Sequence, residues 1–96
     1  MSVYVFPAIL SKEADVYGVT FPDFPGCVSS GTSQTEIALN ASEALSGHLE
    51  VLMDFGDRLP EPSDLENITL DSSQNEFAKI LVTAYAAPVS GTVAAE

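Results

Sequence analysis

The sequence predicts an α+β fold of order β-β-β-α-β, a small antiparallel-rich sheet with one long helix packed on one face. Residues 3–10 and 16–21 alternate as strands do, and residues 76–85 form a further β-rich stretch. Residues 33–55 instead carry apolar side chains at steps of three and four. A chain of 96 residues can bury one core but not two.

The first half of the chain is predicted to supply three strands. Residues 3–10 are rich in β-branched and aromatic side chains, and Pro7, which has no N–H, favours an edge or a bulge. Residues 11–15 are polar and suit a hairpin connection to a second strand at 16–21. A short third strand is predicted over 27–31.

Residues 33–55 are predicted to form a helix about 35 Å long at ~1.5 Å per residue. Ser33 followed by Glu36 matches a capping box, in which each side chain satisfies an unpaired N–H. Gly56 supplies the left-handed residue that closes the helix. The apolar stripe expected to pack on the sheet consists of Ile37, Ala41, Leu45, Leu49 and Leu52.

The segment after the helix is predicted to be a proline-rich connector over 56–67, where Ser63 or Asp64 can cap one helical turn. The final strand, 76–85, contains a near-continuous apolar run that suits an inner position in the sheet. The weakly patterned end of the chain predicts a flexible tail. The expected division is a domain over 1–86 and a tail over 87–96.

The charge of the chain is strongly negative, with three Lys and Arg against fourteen Asp and Glu and a formal net charge of −11. Such a chain repels phosphate backbones and attracts basic partners, so we expect no direct nucleic-acid binding. Acidity that serves only solubility is the alternative. Neither a signal peptide nor a membrane span is predicted, and the expected location is the cytoplasm.

Cys27 is the only cysteine and His48 the only histidine, which excludes an internal disulfide and a zinc-finger-like site. A nucleophilic thiol needs a base and an environment that favours the thiolate. Sequence alone does not say whether His48 approaches Cys27, and a packing role for the cysteine is favoured. No catalytic residue, cofactor or metal site is predicted.

The acidic side chains are the other candidates for chemistry, because metal-dependent nucleases need three or four converging carboxylates. Glu36, Glu43 and Glu50 are spaced by sevens and share a helix face that lies off the apolar stripe. No acid occupies the middle of a predicted strand. Solvated charge is therefore the favoured interpretation.

The motif FPDFP at 21–25 is the candidate surface for a partner. Phe21 and Phe24 lie on a chain stiffened by two prolines, and rigid aromatic side chains lose little entropy on binding. Asp23 between them can accept a hydrogen bond from a partner's His or Arg. Together with Tyr17 in the second strand, these are the predicted partner-binding residues. The alternative is that both phenylalanine rings fill the domain's own core.

Residues 16–63 combine an aromatic-rich strand, a P-D-x-P-G turn, a helix containing E-A-L and a G-x-x-L-P-x-P-S exit. The residues that carry this pattern are Tyr17, Gly18, Phe21, Pro22, Asp23, Pro25, Gly26, Gly31, Ala44, Leu45, Gly56, Leu59, Pro60, Pro62 and Ser63. In this ordered pattern the segment resembles the HicB-like antitoxins of bacterial toxin–antitoxin systems.

The resemblance implies a partial RNase H-like fold and an antitoxin rather than an enzyme. It implies as partner a small basic HicA-type toxin, an mRNA-cutting ribonuclease whose catalytic histidine the antitoxin blocks. In many members of the family operator binding belongs to a C-terminal DNA-binding segment that follows the last strand. The net charge of −11 argues against DNA contact by the 96 residues given, so operator binding is not expected of them. We also expect self-association. Two alternatives stay open, a minimal RNase H-like nuclease and a homo-oligomeric interaction module without a toxin.

Overall fold

A computed structural model describes residues 2–87 and contains a four-stranded antiparallel sheet crossed on one face by a single long helix. This confirms the predicted α+β class and the β-β-β-α-β order. The elements are β1 (Ser2–Glu13), β2 (Val16–Thr20), β3 (Val28–Gly31), α1 (Gln34–Asp54) and β4 (Glu76–Ala86), with 3₁₀ turns at Leu65–Asn67 and Ser72–Gln74. The predicted tail, apart from its first residue, lies outside the described residues.

β1 is an inner strand, because the strands lie in the order β3-β2-β1-β4. It pairs with β4 over nearly its whole length but with β2 only from Ile9 onward. Pro7 is paired with Leu81 of β4 and lies beyond the stretch that pairs with β2. Pro7 therefore keeps the one-sided pairing that its missing N–H requires.

β4 lies at an edge of the sheet, so the prediction of an inner position was wrong. Ile80 and Val82 pack into the core beneath α1, whereas Leu81 faces the opposite side and is 58% exposed. A continuous apolar run normally marks a strand buried on both faces. Here the run is divided between the core and an exposed surface, which the sequence pattern does not distinguish.

The ends of α1 follow the predicted capping with one change. Ser33 Oγ accepts a hydrogen bond from the Glu36 N–H at 3.1 Å, but the Glu36 carboxylate accepts from the Thr32 N–H at 2.7 Å instead of from Ser33. Gly56, at φ 76°, adopts the left-handed conformation expected after the last turn. The stripe that packs on the sheet is buried at Ile37, Ala41, Leu45 and Leu49.

The core lies between α1 and the facing side of the sheet, where residues of β1, β2 and β4 and of the turn after β2 meet the helix stripe. Its largest fully enclosed helix side chains are Leu45 and Leu49. Within residues 2–87 no helix combines the length and the apolar character needed to cross a membrane.

Candidate partner-binding surface

The turn that follows β2, residues 21–27, is held by three backbone hydrogen bonds. The Phe21 N–H donates to Cys27 O at 3.3 Å, the Phe24 N–H to Phe21 O at 3.0 Å, and the Cys27 N–H to Phe24 O at 2.9 Å. Gly26 closes the turn at φ 92°, a conformation that glycine adopts without strain. The shape of the turn is therefore set by its own backbone hydrogen bonds.

Phe21 and Phe24 point inward from this turn and are only 2% and 3% exposed. The Phe24 ring meets Phe6 edge-on at 4.6 Å between centroids and His48 at 5.4 Å. Both phenylalanines thus lie in the domain's own core, the alternative that the sequence left open. They offer almost no surface to a partner, and they hold the turn in place from beneath.

Asp23 connects the turn to the connector that follows α1. Its carboxylate accepts hydrogen bonds from the Ser63 N–H at 2.9 Å and from the Ser63 hydroxyl. Ser63 therefore does not cap a helix as predicted, and the 3₁₀ turn at Leu65–Asn67 has Asp64 at its N-cap without a side-chain bond. Sequence reasoning missed this pair, although both residues belong to the P-D-x-P-G and P-x-P-S parts of the motif.

Cys27 is buried, and its Sγ lies 3.8 Å from the Ala44 carbonyl oxygen. Burial raises the pKa of this thiol, which keeps it protonated and poorly nucleophilic. The His48 ring packs against Phe24. These contacts support a packing role for Cys27.

The carboxylates do not converge: within residues 2–87 no three His, Cys, Asp or Glu side chains are grouped so as to hold a metal ion. The Glu36 carboxylate accepts from Thr32, and Asp71 accepts from the Ser73 N–H at 3.0 Å. Asp23 is bound to Ser63. The carboxylates of Asp23, Glu36 and Asp71 are thus bonded to donors of their own chain, and Glu36 is one of the three helix acids considered for a nuclease.

Tyr17 lies near the start of β2, whereas Asp23 follows its end, so the structure does not bring these two predicted residues together. The Tyr17 ring lies 6.2 Å from the Phe77 ring, and Lys12 Nζ lies 5.0 Å from the Tyr17 ring centroid. Phe77, at the start of β4, is 52% exposed and was not among the predicted site residues. Its contact with Tyr17 joins positions far apart in sequence, which no local pattern reveals.

Tyr17 and Phe77 form one wall of a groove of ≈ 280 Å³ at the start of α1, which we call the aromatic groove. Its volume is just below the range of sites that enclose a whole small molecule, about 300–1,000 Å³. Lys12 and Glu76 lie beside the two aromatic rings. The other lining residues are Leu10, Gln34, Ile37, Ala38 and Ile80.

Comparison with known proteins agrees with this fold. The family model of the HicB-like antitoxins of bacterial toxin–antitoxin systems matches residues 6–94. A 14.9 kDa protein of Haemophilus phage HP1, from the rep–hol intergenic region, is 35% identical over 79 residues, which cover 82% of this chain and 57% of the phage protein. The chain therefore spans little more than half the length of that relative.

Two solved structures give the same result. A chain of the HicA3 and HicB3 toxin–antitoxin complex is 29% identical at a TM-score of 0.66, and the match covers 88% of this chain and all of that one. The N-terminal domain of the Burkholderia pseudomallei antitoxin HicB is 31% identical at a TM-score of 0.67, with 82% of this chain and 95% of that domain covered. Sequence and fold thus point to the same group of proteins.

Proposed function

Since the chain belongs to the HicB-like antitoxin family of bacterial toxin–antitoxin systems, we propose that it binds a HicA-type toxin and occludes the toxin's ribonuclease site. It acts by binding and not as an enzyme. The observation that carries this proposal is the match to a chain of a toxin–antitoxin complex over 88% of the present chain.

The charge of the chain supports a basic partner. A ribonuclease toxin must attract the phosphate backbone of its RNA, so its substrate-binding surface is positively charged. The net charge of −11 on this chain attracts such a surface, accelerates the encounter and disfavours binding of RNA by the antitoxin itself.

The aromatic groove is the part of the described surface that best suits a protein anchor. Phe77 is half-exposed and contacts the partly buried Tyr17 ring, and aromatic residues dominate the binding energy of many interfaces. Of the four predicted partner-binding residues, Tyr17 therefore contacts the toxin directly. Phe21 and Phe24 support the turn from the core, and Asp23 fixes the turn to the connector.

The proposal expects a HicA-type toxin to be encoded beside this chain's gene. It is tested with that toxin, its catalytic histidine replaced by alanine to allow purification. Titration calorimetry measures its affinity for the wild-type chain and for the Tyr17→Ala and Phe77→Ala variants. Each variant is expected to bind about tenfold or more weakly, the effect of losing an interface aromatic that contributes ~1.4 kcal/mol or more.

Phe55→Ala is the matched control, because Phe55 is another exposed aromatic, at 78%, located at the opposite end of α1. It is expected to bind as the wild type does. A toxin that fails to bind the wild-type chain would refute the proposed function. Equal losses in all three variants would refute the assignment of the groove.

A further inference from the structure

The outer edge of β4 carries unpaired main-chain groups along part of its length. In an antiparallel pair, alternate residues direct their N–H and C=O groups away from the partner strand. Thr83 O and Tyr85 N are hydrogen-bonded to side chains of α1, so the main-chain N–H and C=O groups of Thr83 and Tyr85 are directed away from β1. By the same alternation Lys79 and Leu81, which pair with Ile9 and Pro7, direct their main-chain groups outward.

The helix covers only the C-terminal half of this edge. The Ser42 hydroxyl donates to Thr83 O at 2.7 Å, and the Tyr85 N–H donates to Ser46 Oγ at 3.1 Å. Within residues 2–87 no strand and no backbone hydrogen bond from the connector reaches the outward groups of Lys79 or Leu81. The free part of the edge is therefore the stretch 77–82, which we call the open edge.

The open edge is continuous with the aromatic groove. Ile80 and Ala38 line both that groove and a second one, which runs between α1 and β4 as far as Thr83. An extended segment paired with Lys79 and Leu81 could thus place alternate side chains against these apolar walls. This combination of free main-chain groups and side-chain pockets is what strand addition uses.

The charges around the open edge favour a basic segment. Asp64 and Glu66 of the connector lie beside Leu81, and Glu76 begins the strand. Lys79, the one basic side chain of β4, keeps its positive charge but is directed to the connector, where its Nζ donates to Leu65 O at 2.8 Å and to Ile68 O at 3.0 Å. Together with Lys12 beside the aromatic groove it leaves two basic side chains against three acidic ones. A second copy of this chain also carries a net charge of −11, and like-charge repulsion disfavours it at this edge, so the expected self-association is not assigned to this surface.

We propose that the open edge of β4 accepts an extended strand of the basic toxin, which continues the sheet by main-chain hydrogen bonds to Lys79 and Leu81. This inference rests on the proposed function and specifies how the two proteins join. Main-chain pairing provides affinity, and the aromatic groove beside it selects the side chains of the added strand.

Amide hydrogen exchange measured by NMR tests the pairing without any substitution in this chain. In the free chain the Lys79 and Leu81 amides are expected to exchange quickly, and in the complex with the histidine-inactivated neighbouring toxin at least about tenfold more slowly. Amides of β1 paired with β4 serve as the internal reference and change little.

A pair of substitutions separates the backbone from the side chain. Leu81→Ala and Leu81→Pro both remove the leucine side chain, but only proline removes the outward N–H. Neither is expected to break a β1–β4 hydrogen bond, because the alternation along the strand makes Leu81 and Pro7 a non-hydrogen-bonded pair. Leu81→Pro is expected to bind the toxin about tenfold more weakly than Leu81→Ala.

Each other outcome contradicts a stated part of the proposal. If the toxin binds but the Lys79 and Leu81 amides stay unprotected, strand addition is wrong. Equal affinity of the toxin for Leu81→Ala and Leu81→Pro would also contradict strand addition. Either result would leave the proposed function standing. Protection that already appears in the free chain and grows with its concentration would assign the edge to a second copy. Absence of toxin binding to the wild type would refute the proposed function itself.

Discussion

The bond between Asp23 and Ser63 is expected to contribute measurably to stability, because it joins two segments that are 40 residues apart in sequence. Asp23→Ala removes both hydrogen bonds, whereas Ser63→Ala removes only the one from the hydroxyl. Hydrogen bonds to a charged group contribute about 1.5–3 kcal/mol each when buried, and the lower value applies to this half-exposed carboxylate. The expected losses are about 2–3 kcal/mol for Asp23→Ala and ~1.5 kcal/mol for Ser63→Ala.

The double variant Asp23→Ala/Ser63→Ala tests the interaction between the two side chains more directly than either single variant. Once Asp23 is gone the Ser63 hydroxyl has no carboxylate to bind, so the double variant is expected to be no less stable than Asp23→Ala alone. Urea unfolding followed by far-ultraviolet circular dichroism measures this, since the chain has no tryptophan. Losses that simply add, within about 0.3 kcal/mol, would show that the two side chains do not interact and refute the reasoning.

Three further predictions concern the core and the helix start. Phe24→Ala is expected to lower the free energy of unfolding by about 3–5 kcal/mol in urea titrations, and a loss below ~1 kcal/mol would mean that the ring is not packed as described. Cys27 is expected to react with iodoacetamide at least about tenfold more slowly in the native than in the urea-unfolded chain, since burial raises its pKa; equal rates would contradict this. Hydrogen bonds from Thr32 lower the pKa of Glu36 below its ordinary value of 4.5. The ionised Glu36 therefore stabilises the folded state above that pH, and this stabilisation is lost as the pH falls through the lower folded pKa. Glu36→Gln should therefore flatten the acid side of the melting-temperature profile, and an unchanged slope would contradict the assigned bonds.

The helix could be predicted almost to the residue because its signals are local. Ser33 and Gly56 mark its two ends, and the spacing of its apolar residues identifies the buried face. The change at Glu36, which bonds to Thr32 instead of Ser33, depends on the exact path of the chain before the helix. A capping motif identifies the side chain that accepts a hydrogen bond at the helix start, but it does not decide which of two neighbouring backbone N–H groups donates that bond.

The position of β4 in the sheet could not be predicted from its sequence. Ile80, Leu81 and Val82 are all apolar, so the strand resembles one that is buried on both faces. In the structure Leu81 is exposed and Val82 is buried, and only the three-dimensional order of the strands reveals this. The error concealed the open edge, which is the most distinctive feature of the proposed interface.

The candidate site was predicted in part. The motif identified Tyr17 and Asp23 as residues of interest, and in the structure each makes a specific contact outside the core. Their partners, Phe77 and Ser63, lie 60 and 40 positions further along the chain. Such pairings come from the packing of the whole domain, so local propensity does not reveal them.

Neutralisation of the toxin is tested by titrating RNA cleavage by the active neighbouring HicA-type protein with this chain. If the chain occludes the ribonuclease site, cleavage declines in proportion to added antitoxin and stops near equimolar amounts. Cleavage that continues undiminished while calorimetry shows the complex to be fully formed would contradict occlusion.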